Sequence, residues 1–229
     1  ASAVLIAGPR RDINPAERQA LRNYLENGGP GNTGGRLLVM LDPYVPVGGD
    51  VRTPLRNLTE LLEEHGIALP HEIVAMPSQA QQGGDPYSIV VVPRKHRISD
   101  LDDKHPLVFH QARPVEPARV IPPNHLVDVV LSSTDETYGL PIEEISKAAQ
   151  TGRRTATFSD AEQRKGAKGL AVASILQPPG RSEEQASRIV AIGNARFVTT
   201  DLVDQNGWLL FINSINWLTN QGDMISIPA

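Results

Sequence analysis

The chain has 229 residues, the length of one large domain or two small ones, and 40% of them are hydrophobic, enough for an ordinary core. Its 22 Lys and Arg stand against 26 Asp and Glu, a net charge of −4 that argues against a nucleic-acid footprint, which needs a clustered basic face. The absence of cysteine excludes thiol catalysis, disulfides and cysteine-ligated zinc.

Residues 3–7 form a short apolar run stopped by Gly8-Pro9, the pattern of a buried parallel strand. A helix follows: Asn14 is its N-cap, Pro15 sits at its first position, Glu17 completes a capping box, and Ala20, Leu21, Tyr24 and Leu25 repeat at helical spacing up to the stop at Gly28. Residues 30–35 are turn-rich and read as a flexible insertion. Residues 36–41 are a second strand, ending in the turn pair Asp42-Pro43. Thr53 and Pro54 predict the start of a helix with Leu55, Leu58, Leu61 and Leu62 on its inner stripe, ended by Gly66, and residues 73–75 read as a third strand. This alternation predicts an α/β domain with a mainly parallel sheet.

The middle, around residues 76–168, is less regular. Strands are expected at 88–92, 118–121 and 126–132, a turn or strand start at His105-Pro106, a polar turn over 134–144 and an exposed loop over 151–167. The basic group Arg94-Lys95-His96-Arg97 reads as a solvated loop. Two further strands, 169–176 and 188–193, flank a mobile hairpin connection at 178–185. The last helix, 207–219, is capped by Asn206 and apolar almost all round, which predicts burial. At roughly 20 Å it is too short to span a bilayer. Residues 224–227 read as a closing strand, and Asn213 and Asn216 as amides that tie loops together.

Polar residues at strand ends are the candidates for function, because open α/β sheets place ligands outside the carboxyl ends of their strands. They are Arg10 and Asp12 after the first strand, Asp42 after the second and Asn194 after the last, with Thr134 at the end of the 126–132 strand. Each either lines a common crevice or caps a turn. Arg10, Asp42, Thr134 and Asn194 are the expected ligand-binding residues. The six histidines show no ligand spacing, so no metal or other cofactor is expected. There is no G-x-S-x-G elbow, G-x-G-x-x-G fingerprint or Walker A sequence. The chain opens almost directly on a strand and stops just after another, which predicts an excised piece of a longer protein.

The blocks Val4-Leu5-Ile6-Ala7-Gly8-Pro9, Asn14-Pro15-Ala16-Glu17, Tyr24-Leu25-Glu26-Asn27-Gly28-Gly29 and Arg36-Leu37-Leu38-Val39-Met40-Leu41-Asp42-Pro43 resemble the extracytoplasmic region of auxiliary proteins of ABC-type transport systems, the gliding-motility ABC transporter component among them. Arg188-Ile189-Val190-Ala191-Ile192-Gly193, Asn213-Ser214-Ile215-Asn216-Trp217-Leu218 and Asp223-Met224-Ile225-Ser226-Ile227 extend the resemblance to the far end. It implies a single three-layer α/β domain over residues 1–229, flavodoxin-like or class I glutamine amidotransferase-like, with some added antiparallel strands. That fold is also similar to the N-terminal domain of an intraflagellar transport subunit. Active amidotransferases carry a catalytic cysteine elbow after the second strand; Asp42-Pro43 stands there in this chain, and the 30–35 insertion departs from their direct join. Membrane anchoring outside this region would explain the abrupt ends.

The resemblance thus implies a non-catalytic binding or scaffolding domain, periplasmic or otherwise extracytoplasmic, anchored to the inner (cytoplasmic) membrane in the full-length protein. Its expected partners are the permease and ATPase subunits, reached through the missing membrane part, and a partner protein, a small extracellular ligand or a glycan. The alternative is a hydrolase at the amidotransferase-like crevice, with Asp42 as nucleophile or base and His105 or Thr134 beside it. A nucleotide-binding regulatory module lacks its glycine fingerprint.

Overall fold

The opening β-α-β unit sets the frame for the rest. β1 (Val4–Ala7) leads through a loop to α1 (Pro15–Asn27), and β2 (Arg36–Met40) returns parallel to β1. The start of α1 is fixed locally: the Asn14 side chain accepts from the Glu17 N–H at 2.9 Å, and the Glu17 carboxylate accepts the Asn14 N–H at 2.8 Å. Each bond satisfies a backbone donor that a helix start leaves unpaired.

This computed structural model describes residues 3–28, 33–43, 55–150, 164–199 and 201–220. After β2 come α2 (Arg56–Glu63), β3 (Ile67–Ala68), β4 (Glu72–Ala75), α3 (Pro77–Gln81), β5 (Ser88–Val90), β6 (Val92–Pro93), β7 (Val108–His110), β8 (Glu116–Pro117), β9 (His125–Ser132), β10 (Tyr138–Pro141), α4 (Ile142–Gln150), β11 (Gly169–Leu176), β12 (Ser187–Ile192) and α5 (Gln205–Thr219). Among the described residues the central sheet has six strands in the order β1-β2-β12-β11-β9-β6, and there are three two-stranded sheets, β4 with β10, β3 with β8 and β5 with β7.

The expected mainly parallel sheet is corrected to a mixed one. Only the β1–β2 and β2–β12 pairings are parallel; β12–β11, β11–β9 and β9–β6 are antiparallel. Two physical reasons account for this. The expected third strand, as β4, leaves the sheet to pair with β10, so β12 takes the place beside β2. The 177–186 connection is too short for a crossover, so β11 and β12 can only meet antiparallel.

Period-two alternation along β2 divides the core between two faces. Leu37, Val39 and Leu41 pack with Leu25 of α1 and Leu58, Leu61 and Leu62 of α2, whereas Leu38 and Met40 pack with Leu210 and Leu218 of α5 and with Phe109 and Phe197. Helices therefore cover both faces of the sheet. Each fully buried leucine contributes roughly 1.5–3 kcal/mol.

Other expectations are corrected in detail. β1 is an edge strand whose residues alternate between half-buried and exposed, with Leu5 48% exposed. Residues 118–121 form no strand, and the polar 134–144 stretch contains β10 and the start of α4. Asp204 caps α5, accepting from the Gly207 N–H at 2.6 Å. Asn206 is instead buried and bonds the Asp102 backbone, as acceptor at 2.7 Å and donor at 2.9 Å. α5 is not buried all round, since Trp208 is 54% exposed. The readings at Thr53-Pro54, 224–227, most of 30–35 and most of 151–167 lie outside the described residues. No helix among the described residues is long and apolar enough to cross a membrane.

Candidate functional site at the strand ends

A ligand crevice in an open α/β sheet opens where neighbouring strands send their connections to opposite faces. β2 leads to α2 on one face and β12 leads to α5 on the other, so the switch point lies between β2 and β12. Asp42 follows β2 there and Asn194 follows β12. β1 ends beside them: a Cβ on Gly8, whose φ is +51°, would lie 3.7 Å from Asp42 Oδ2 and 3.5 Å from the Ala195 Cβ.

The side chains at this point hold backbone. Asp42 is half-buried, and its Oδ1 accepts from the Ala195 N–H at 2.8 Å, linking the ends of β2 and β12. Asn194 is fully buried. Its Oδ1 accepts from the Arg196 and Phe197 N–H groups, both at 2.9 Å, and its Nδ2 donates to His110 O at 2.7 Å and Gln111 O at 3.4 Å. Two donors and two acceptors exhaust an amide, so Asn194 has no position left for a ligand.

Segment 111–115 runs across the mouth between β12 and β11. Arg113 N–H donates to Gly193 O at 2.8 Å and Val115 N–H to Gly169 O at 2.8 Å. A Cβ on Gly193 would stand 2.0 Å from Arg113 O, so this crossing requires glycine. Arg113 is 7% exposed and donates to Leu69 O at 3.2 Å and Pro70 O at 3.4 Å; burial pushes its pKa down to about 10.

The other expected site residues stand apart. Arg10 is exposed on the loop after β1. Thr134 follows β9 on the same edge of the sheet, but three strand positions from β2, about 14 Å at ordinary strand spacing. Its Oγ1 is buried without a hydrogen-bond partner, while its carbonyl accepts from the Thr137 hydroxyl at 2.9 Å. The adjoining Ser133 hydroxyl bonds Thr137 Oγ1 at 2.6 Å and accepts from Lys168 N–H at 2.8 Å, a turn-stabilising set. His105 is exposed and pairs with Asp102 at 3.1 Å. Asp12 reaches the start of α2, accepting from Asn57 N–H at 2.7 Å and Leu58 N–H at 3.2 Å. No group of three or more His, Asp or Glu that could hold a metal occurs among the described residues.

The structure thus brings Asp42 and Asn194 together and leaves Arg10 and Thr134 outside that pair. Sequence reading missed segment 111–115, for which Gly193 at a strand end was the available signal of a close backbone approach. It also missed a concavity beside the basic run 94–97, where the charges were visible but the α5 residue facing them was not.

No family model and no curated protein matches the chain. Among solved structures it is similar to the mmIFT52 N-terminal domain, at 18% identity and a TM-score of 0.56, over 98% of this chain and 78% of that one. It is also similar to a ThuA-like protein from Bacteroides uniformis, at 14% identity and a TM-score of 0.45, over 94% of this chain and 68% of that one.

Proposed function

We propose that the chain is a non-catalytic binding or scaffolding domain: the extracytoplasmic part of an auxiliary subunit of an ABC-type transport system, on a class I glutamine amidotransferase-like variant of the mixed α/β fold. The observation that carries the absence of chemistry is the state of the switch-point crevice. Where an enzyme of this architecture would present a reactive group, Asp42 bonds the Ala195 backbone and Asn194 is saturated by four backbone groups. Catalysis needs a nucleophile and a base in hydrogen-bond contact. Among the described residues Thr134 lies three strand positions away from Asp42, and His105 pairs with Asp102, which leaves the hydrolase reading without an assembled site.

The transport assignment rests on the sequence blocks at both ends of the chain. The likeness to the mmIFT52 domain bears on the fold alone. The test is purification of the tagged full-length protein from detergent-solubilised membranes. Stoichiometric recovery of an ATPase and a permease is the expected result. Fractionation of the full-length protein away from membranes, without these subunits, overturns the assignment. Peptidase or glycosidase turnover lost in Asp42→Asn would overturn the non-catalytic half.

A further inference from the structure

The turn that follows β6 is built to hold its shape. Arg94 N–H donates to Val130 O at 2.9 Å and Arg94 Nε to the Ser132 hydroxyl at 2.9 Å, which ties the turn to β9. His96 Nδ1 accepts from Ile98 N–H at 3.1 Å, and the Ser99 hydroxyl donates to the carbonyls of Arg94 and His96. From α5, Asn213 Nδ2 donates to Asp100 O at 2.9 Å and Ile98 O at 3.4 Å. A concavity of about 670 Å³ lies between this turn and Trp217, near the carboxyl end of α5. That is the size of a small-molecule site.

Trp217 is held as a wall of this space. The Arg188 guanidinium lies 5.2 Å from its ring centroid and donates to the Trp217 carbonyl at 2.7 Å, and the His96 ring meets the indole at 5.4 Å and 59°. Arg94, Lys95 and Arg97 line the same space, and among the described residues none of the three makes an ion pair. Among the described residues Asp100 is the one carboxylate on the lining. A chain with a net charge of −4 thus gathers three cations, none paired with a described carboxylate, around one aromatic wall. Their mutual repulsion is relieved by an oxyanion placed among them.

We propose that this groove binds an acidic saccharide, with a sugar ring against the Trp217 indole and its carboxylate among Arg94, Lys95 and Arg97. The assignment rests on the reading of the chain as a binding domain and names the ligand class. Asp100 places an acceptor for sugar hydroxyls beside the cations, a pairing that a saccharide uses and inorganic phosphate does not. His96 supplies a further donor: with Nδ1 accepting from Ile98 N–H, the neutral ring carries its proton on Nε2. Burial holds His96 below its ordinary pKa against the pull of Asp128, so that form is present at neutral pH.

The chain has two tryptophans, and Trp208 is exposed on α5, so Trp208→Phe leaves Trp217 as the only indole reporter. In that background, Trp217 emission is titrated with a tetrasaccharide of alternating glucuronate and N-acetylglucosamine, with neutral chitotetraose, with inorganic phosphate and with ATP. The expected result is a saturable change with the acidic sugar alone. It weakens as salt is raised and falls about tenfold when Lys95→Ala and Arg97→Ala are combined, both being exposed positions that leave the thermal melt unchanged. Calorimetric titration of the unsubstituted protein gives a second readout.

Absence of saturable binding, equal binding of chitotetraose, or binding that survives the double substitution overturns the assignment. Equal or tighter binding of phosphate or ATP replaces it with a phosphate site. If the saccharide fails while the transporter subunits still co-purify, only the ligand is lost; if the subunits fail while the saccharide binds, the groove stands and the transport reading falls.

Discussion

His65 shows how one buried ring couples stability to pH. It is 3% exposed, and burial together with the neighbouring His125 pushes its pKa down to about 4, only partly opposed by Glu64. Its protonation is constrained from both sides. His125 Nδ1 lies 2.9 Å from Pro123 O and so donates to it, which leaves His125 Nε2 as an acceptor for His65 Nδ1–H at 3.1 Å. The neutral His65 then has a bare Nε2, and that buried atom has no partner. A second proton there would enter a place that offers it no acceptor. Because the folded pKa lies below the ordinary 6.5, the unfolded chain binds more protons between about pH 6.5 and pH 4. The His65 contribution is fully present above about 6.5 and is lost as pH falls towards 4, up to roughly 3 kcal/mol at 1.36 kcal/mol per pH unit. Urea denaturation at pH 7 and at pH 4.5 measures it: the stability difference should shrink by about that amount in His65→Gln, which keeps a donor for His125 but does not titrate. An unchanged difference would show that carboxylates elsewhere carry the pH dependence.

At the scale of elements, the two helices on one face of the sheet contrast in how their starts are made. The cap of α1 was legible because Asn14 and Glu17 are three residues apart and bond each other. The cap of α2 was not. Its Ncap residue, Leu55, has no side chain to offer, and its N–H donors at Asn57 and Leu58 are satisfied by Asp12, from 45 and 46 positions earlier in the chain. Asp12 also accepts from the Asn57 side chain at 3.0 Å. A strand-end carboxylate that reads as a candidate crevice residue therefore stabilises the start of another helix, a contact that no local pattern records. Asp12→Ala should cost about 1–2 kcal/mol in urea denaturation, because it leaves two helix donors unsatisfied and removes a negative charge from a helix N-terminus. Asp12→Asn, which keeps an accepting oxygen, should recover part of that loss. A cost of only a few tenths for Asp12→Ala would mean that solvent caps α2 equally well. The same distinction explains the candidate site. Asp42 and Asn194 were visible as polar residues ending apolar runs, but their acceptors and donors, Ala195 N–H and the 110–111 carbonyls, belong to segments whose approach depends on the whole sheet.

At the scale of the molecule, the apolar runs at β1, β2, β9, β11 and β12 were legible, and the order in which they lie was not. An apolar run marks a strand but neither how deeply it is buried nor which strand lies beside it, so β1 read as buried although it is an edge strand, and β4 as a third member of the central sheet although it pairs with β10. This division of the chain has a consequence for dynamics. Every residue of β2 and β12 is buried, and both strands lie inside the sheet between the two large cores. β4 and β10 instead share a small cluster of Ile73, Ala75 and Leu140, flanked by the partly buried Tyr87, Tyr138 and Ile145, and only Val74 of β4 faces the larger core. Elements with less buried apolar surface open at lower free energy than the global transition. Native-state hydrogen exchange under increasing denaturant should therefore place the Leu38 and Val190 amides at the global unfolding free energy, with its full denaturant dependence. The Ile73 and Leu140 amides should exchange through an opening lower by a few kcal/mol and with a weaker dependence, since only a part of the surface is exposed. Convergence of all four amides on one free energy and one slope at low denaturant would mean instead that the β4–β10 sheet is cooperative with the central sheet.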